Sequence, residues 1–133
     1  MRQVSKRLAV PAILASLLMG MLGAVALASA PWNGTCNWGE LCNYYDQSFN
    51  GPMAAMAGSN SSYHNETYPG ITWGVNDSAS SVKNLLSTQR VKWRHEVDYQ
   101  GGGICIQPGY QTSFVGLASN DAFTSHLVTS NAC

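Results

Sequence analysis

Charge is scarce in this sequence. Of 133 residues, 7 are Lys or Arg and 7 are Asp or Glu, together 11%. No basic patch stands beyond the N-terminal Arg2, Lys6 and Arg7. A chain without one lacks the positive field that phosphate backbones require, so nucleic acid is excluded as a partner. Histidine is scarce too: His64, His95 and His126 are the whole set. His95-Glu96 has no second His four residues on, so the zinc-protease helix motif is missing. No Ser occupies a nucleophile elbow. Glu96 and Asp98 sit two residues apart, roughly 7 Å along a strand, which is within glycosidase range. Nothing else supports that chemistry, and a solvated strand face is the plainer reading. The chain is therefore expected not to be an enzyme.

Long apolar runs are confined to one place. Residues 8–26 are almost wholly apolar, broken early by Pro11, and small residues close the run at Ala26-Leu27-Ala28-Ser29-Ala30. A positive start, an apolar centre and a small-residue end together indicate a secretory signal peptide, not a membrane span. Cleavage after Ala28 and cleavage after Ala30 both satisfy the small-x-small rule. The expected organisation is a signal peptide over residues 1–30 and a single domain over 31–133. That domain keeps all seven acids but only Lys83, Arg90, Lys92 and Arg94 among the bases, so it is mildly acidic. After the signal is removed, no membrane contact is expected, and the domain is read as an extracellular monomer.

All four cysteines fall in that domain: Cys36, Cys42, Cys105 and Cys133. An even count in a small exported chain implies disulfides. Three pairings exist. The favoured one joins Cys36 to Cys42 across a short loop and Cys105 to Cys133, which ties down the last residue. A zinc site is disfavoured, because no further Cys or His stands at ligand spacing and the compartment is oxidising.

One pattern occurs twice. Asn76-Asp77-Ser78-Ala79-Ser80-Ser81 and Asn120-Asp121-Ala122-Phe123-Thr124-Ser125 both read Asn-Asp, two variable residues, Ser or Thr, then Ser. Each places a carboxylate, an amide and hydroxyls in one tight turn, an all-oxygen set suited to a hard cation such as calcium. Taken singly, such residues simply make turns. Taken twice, each before a strand-like run, they mark a repeated unit.

The remaining signals are β. Residues 42–46 are strand-like and run into a turn at Asn50-Gly51-Pro52. Residues 53–70 show no period and are expected to be mostly loop, with Met53, Met56, Tyr63, His64 and Tyr68 covering the core in preference to facing a partner. Ile71, Trp73 and Val75 alternate into the first hexapeptide. The clearest strand covers 91–98, with Val91, Trp93, His95 and Val97 on one face and Lys92, Arg94, Glu96 and Asp98 on the other. Gly101-Gly102-Gly103 turns the chain into a partner strand at 104–106. Short runs at 114–117 and 125–128 flank the second hexapeptide. Each half thus repeats one grammar of four strands with a long connection before the last. The fold class expected is an all-β, double Greek-key sandwich of about eight short strands with two disulfides.

The hexapeptides resemble the calcium-binding motif of microbial βγ-crystallins. Tyr44, Phe49 and Gly51 look like that fold's first-hairpin signature. Cys36 and Cys42 ahead of it, with the signal peptide, are similar to the secreted streptomycete metalloproteinase inhibitors, which share the fold. The second hairpin departs from the pattern: Arg94 stands where the aromatic belongs, and an irregular or bulged hairpin is expected there.

The resemblance implies a calcium-binding fold with two sites shared crosswise between the halves. Ser78 and Ala122 would offer backbone carbonyls, Ser80 and Thr124 hydroxyls, and Asp77 and Asp121 carboxylates. Carbonyls of Tyr45 and His95 would complete the sites, Tyr45 being the stronger of the two. With about one carboxylate each, the sites would bind calcium modestly. The function implied is inhibition of an extracellular metallopeptidase, the peptidase being the partner. Two further readings belong to the same fold: a calcium-binding structural or stress protein of the cell exterior, and a secreted antimicrobial toxin. The candidate reactive loops are residues 53–68 and the turn 101–103.

Overall fold

The computed structural model describes residues 34–133. The expected signal peptide and both of its cleavage positions lie outside the described residues. Among the described residues, seven strands form two antiparallel sheets: β1 (Leu41–Tyr44), β2 (Met53–Met56), β3 (Ser81–Asn84), β4 (Arg90–Arg94), β5 (Gly103–Ile106), β6 (Gln111–Thr112) and β7 (Ser125–Thr129). One sheet runs β2-β1-β3-β6 and the other β5-β4-β7. Among the described residues, no helix is long and apolar enough to cross a membrane.

The halves exchange their third strands. β6 belongs to the second half but pairs with β3 of the first through Val82–Thr112 and Lys83–Gln111. The reciprocal strand of the first half is reduced to one antiparallel bridge, Asn60 with His126 of β7. That reduced strand accounts for seven strands where about eight are expected. Each exchanged segment also braces the other half's hairpin: Ser48 N–H donates to the Ser113 carbonyl, and Asp98 N–H to the Ser61 carbonyl, both at 2.8 Å.

The two hairpins have the same register. Tyr44 pairs with Met53, and Arg94 with Gly103. Each turn holds two non-glycine residues at positive φ, Ser48 (58°) and Phe49 (60°) in one, Asp98 (54°) and Tyr99 (65°) in the other, followed by Gly51 or Gly101 at 74°. The second hairpin is therefore regular, with four consecutive pairs, and the expected bulge is absent. The reason for Arg94 lies on the sheet's outer face. Around Tyr44 that face is buried beneath Cys42, Met53, Ala55 and Phe49. Around Arg94 it is wet, as the alternating burial of β4 shows, so no aromatic is needed.

Other expectations shift. Met53–Met56 is a strand, not loop. Its Met-Ala-Ala-Met sequence has little β-propensity, and pairing to β1 overrides that. The strand expected over 91–98 ends at Arg94, because the chain turns at His95 to build the corner at Val97–Tyr99. Residues 114–117 are not strand, and β6 precedes them. The core between the sheets holds Leu41, Val82, Val91, Trp93 and Phe123 with Tyr63 and Tyr68, all fully buried. Core cover is thus the role of those two tyrosines. The disulfides join Cys36 to Cys42 and Cys105 to Cys133, the favoured pairing.

Candidate functional site: the paired hexapeptide turns

Each hexapeptide is clamped to its own hairpin by its last two residues. Ser80 N–H donates to the Tyr44 carbonyl at 2.9 Å, and the Ser81 hydroxyl donates to the Asp46 carbonyl at 2.7 Å. The second half repeats this with Thr124 N–H on Arg94 (2.9 Å) and the Ser125 hydroxyl on Glu96 (2.6 Å). Ser81 and Ser125 also accept from the Phe49 and Tyr99 N–H groups, respectively. These bonds bracket Tyr45 and His95. No hydrogen bond among the described residues ends on either of their carbonyls. The bracing role of Ser81 and Ser125 was hidden in the sequence, although their recurrence at the last hexapeptide position was its signal.

The turns also reach across the halves. Asp77 and Asp121 both take left-handed backbone conformations, φ 51° and 53°. Asp77 N–H donates to the Phe123 carbonyl and Asp121 N–H to the Ala79 carbonyl. This brings the Ser80 hydroxyl within 3.4 Å of an Asp121 carboxylate oxygen and the Thr124 hydroxyl within 3.2 Å of one of Asp77. The expected residues therefore gather as two groups: Tyr45, Ser80 and Asp121, and His95, Thr124 and Asp77. Ala122 is half-buried in the second turn. Ser78 is buried, and its hydroxyl is committed to the Gly74 and Val75 carbonyls and to Tyr68.

The oxygen set fits a hard cation. The Asn76 and Asn120 side-chain amides donate to Asp77 and Asp121 at 2.6 and 2.7 Å. Their own Oδ1 atoms are buried without a hydrogen-bond partner, one in each turn. A buried orphan oxygen costs roughly 1–3 kcal/mol, so its occurrence at the same position of both turns calls for a reason. A bound calcium ion would neutralise the facing carboxylates and tie the halves together. The residues that would hold it are those of the two groups above with the backbone carbonyls of Ser78 and Ala122, on which no hydrogen bond among the described residues ends.

The surroundings of the two groups differ. The Tyr45 ring lies 5.0 Å from the Trp73 ring and 6.0 Å from that of Tyr68. Burial pushes the Tyr68 hydroxyl up to about 12. His95 instead packs at 5.9 Å on Phe123 and shares a hydrogen bond with the Ser119 hydroxyl. Of the other two histidines, His64 is exposed and His126 is a core residue. Its Nε2 donates to the Gly58 carbonyl and its Nδ1 accepts from the Tyr63 hydroxyl, a neutral tautomer fixed by its partners. No catalytic arrangement of His, Ser and acid is present among the described residues.

The model of peptidase inhibitor family I36 matches residues 29–106, more than half of the chain. This chain belongs to peptidase inhibitor family I36. No curated protein matches it. Solved βγ-crystallin domains resemble this inhibitor-family chain in fold. A domain described under the evolution of the eye lens βγ-crystallin fold has 21% identity and TM-score 0.62, covering 74% of this chain and 93% of that one. A domain from Clostridium beijerinckii has 21% identity and TM-score 0.55, covering 69% and 99%. One from an archaeon has 19% identity and TM-score 0.52, also covering 69% and 99%. The family member thus has the βγ-crystallin fold, and a peptidase is its partner in general terms. The inhibitor family and the two disulfides agree with an extracellular location.

Proposed function

We propose that the domain of residues 31–133 is exported by the preceding segment and acts outside the cell as a monomeric inhibitor of metallopeptidases. The observation that carries this reading is the family match over residues 29–106. The fold supplies what such an inhibitor needs. Two disulfides and the reciprocal strand exchange hold the surface rigid, so little entropy is lost when a peptidase docks. The mild acidity of residues 31–133 and their lack of a basic patch disfavour nucleic acid as a partner. Neither of the loops expected to be reactive stands out. Residues 53–68 are largely spent on β2 and on the core residues Tyr63 and Tyr68, and the turn 101–103 is glycine alone.

Calcium is part of the proposal as a structural ion, held by Tyr45, Ser80 and Asp121 and by His95, Thr124 and Asp77. The paired orphan oxygens of Asn76 and Asn120 support it. They equally favour the second reading, a calcium-binding structural protein of the cell exterior. The deciding experiment incubates the purified mature protein with thermolysin-like, subtilisin-like and trypsin-like peptidases. Selective slowing of the thermolysin-like enzyme at micromolar protein is expected. If none is slowed, the inhibitor reading falls and the structural one stands.

A further inference from the structure

Between the exchanged segment and the first hexapeptide, residues 67–74 form a small hairpin of their own. Thr67 bridges Gly74, Tyr68 N–H donates to the Trp73 carbonyl at 2.9 Å, and Val75 N–H to the Glu66 carbonyl at 3.0 Å. Ile71 N–H closes the tip on the Tyr68 carbonyl at 3.3 Å. Pro69 and Gly70 (φ 72°) occupy the two central positions, the residues a type II turn requires. The root is anchored. The fully buried Tyr68 donates its hydroxyl proton to the Ser78 hydroxyl, whose own proton goes to the backbone carbonyls of Gly74 and Val75, and its ring contacts Tyr45, which in turn packs on Trp73.

The tip is apolar and exposed: Ile71 is 37% and Trp73 53% accessible, within three residues of each other. The other large exposed apolar side chains, such as Trp38, Tyr110 and Leu117, are scattered along the chain. Residues 67–74 contain no charged side chain. The N–H and C=O of Thr72 meet no partner among the described residues. A rigid, uncharged tip with one open main-chain unit between two exposed apolar side chains has the features of a peptidase ligand. Peptide-binding clefts take extended chain through main-chain hydrogen bonds and read alternate side chains in pockets. Aromatic anchors in such pockets carry most interface energy.

We infer that this hairpin is the surface that engages the peptidase, with residues 71–73 lying in its cleft and Ile71 or Trp73 filling an apolar specificity pocket. The inference rests on the inhibitor reading. It selects a target class, peptidases that prefer large apolar side chains. It also disfavours the glycine turn 101–103, which has no side chain to offer.

The test measures inhibition constants of the wild-type mature protein, Ile71→Ala, Trp73→Ala and, as a control, Leu117→Ala against the peptidase panel, with thermal midpoints for each. Ile71→Ala and Trp73→Ala are each expected to weaken inhibition about tenfold or more, and Leu117→Ala to leave it unchanged. Ile71→Ala is the cleaner probe, because Trp73 also packs on Tyr45. An unchanged midpoint in Ile71→Ala shows that the loss is one of contact. If the wild type inhibits and both hairpin variants inhibit equally well, the hairpin assignment is overturned and the inhibitor reading survives. If the wild type slows no peptidase, both fall.

Discussion

Trp93 and Asn43 hold matching positions in β4 and β1 of the two halves, and they hydrogen-bond to each other in the core. The indole N–H donates to the Asn43 Oδ1 at 2.6 Å, and both residues are fully buried. The asymmetry is what makes the contact work. An indole on one side supplies bulk and a donor, and a short amide on the other supplies the acceptor. Packing around the indole reaches His126 and Phe123, so the bond ties the two sheets at the centre of the sandwich.

Trp93→Phe removes the donor and part of the volume. The lost bond leaves Asn43 Oδ1 orphaned beside its already unpartnered amide nitrogen. The expected cost is roughly 2–4 kcal/mol, from the orphaned acceptor and the cavity combined. Urea denaturation checks it. A loss below about 1 kcal/mol would mean that water satisfies Asn43.

Calcium is expected to raise the thermal midpoint, saturating in roughly the 10⁻⁴–10⁻³ M range. Because the groups are crossed, Asp121→Asn should weaken the one beside Ser80 and Tyr45, and Asp77→Asn the one beside Thr124 and His95. Trp73 packs on the Tyr45 ring, so its fluorescence should respond to calcium in the wild type and in Asp77→Asn but not in Asp121→Asn. No shift in midpoint or emission at about 10 mM calcium would sink the claim.

His126 makes stability depend on pH. Burial lowers its pKa from the ordinary 6.5 to about 4. The unfolded chain therefore takes up a proton between these values and the folded chain does not. This contribution is fully present above pH 6.5 and is lost as pH falls towards 4, about 3 kcal/mol in all. His126→Gln can still donate to Gly58 and accept from Tyr63, but it does not titrate. Denaturation at several pH values between 4 and 7 should show a flattened slope for the variant. Equal slopes would assign the pH dependence to other groups.

The two disulfides should differ in worth. Cys105–Cys133 spans 28 residues and Cys36–Cys42 spans 6. Loop-closure entropy gives about 3.5 kcal/mol for the first and about 2 kcal/mol for the second. Replacing each pair by serines and comparing denaturation midpoints tests the order. The reverse order would mean that the short bridge, packed under Tyr44 and Phe49, matters through the native state.

What the sequence determined by itself is local. The paired Asn-Asp turns, the alternation around Val91 and Trp93, the glycine turn at 101–103 and the cysteine spacing are short-range patterns. Backbone sterics and side-chain periodicity dictate them without reference to distant residues. Together they were enough to identify an all-β double Greek key. Tertiary structure decided the rest. Met53–Met56 becomes a strand only because β1 offers it a partner. Arg94 replaces an aromatic because its face of the second sheet is wet. The cross-half approach of Ser80 to Asp121 and of Thr124 to Asp77 depends on how the halves dock. The anchored hairpin carrying Ile71 and Trp73 exists only once Tyr68 is buried beside Tyr45. Such contacts join residues remote in the chain, and no local propensity encodes which of them will meet.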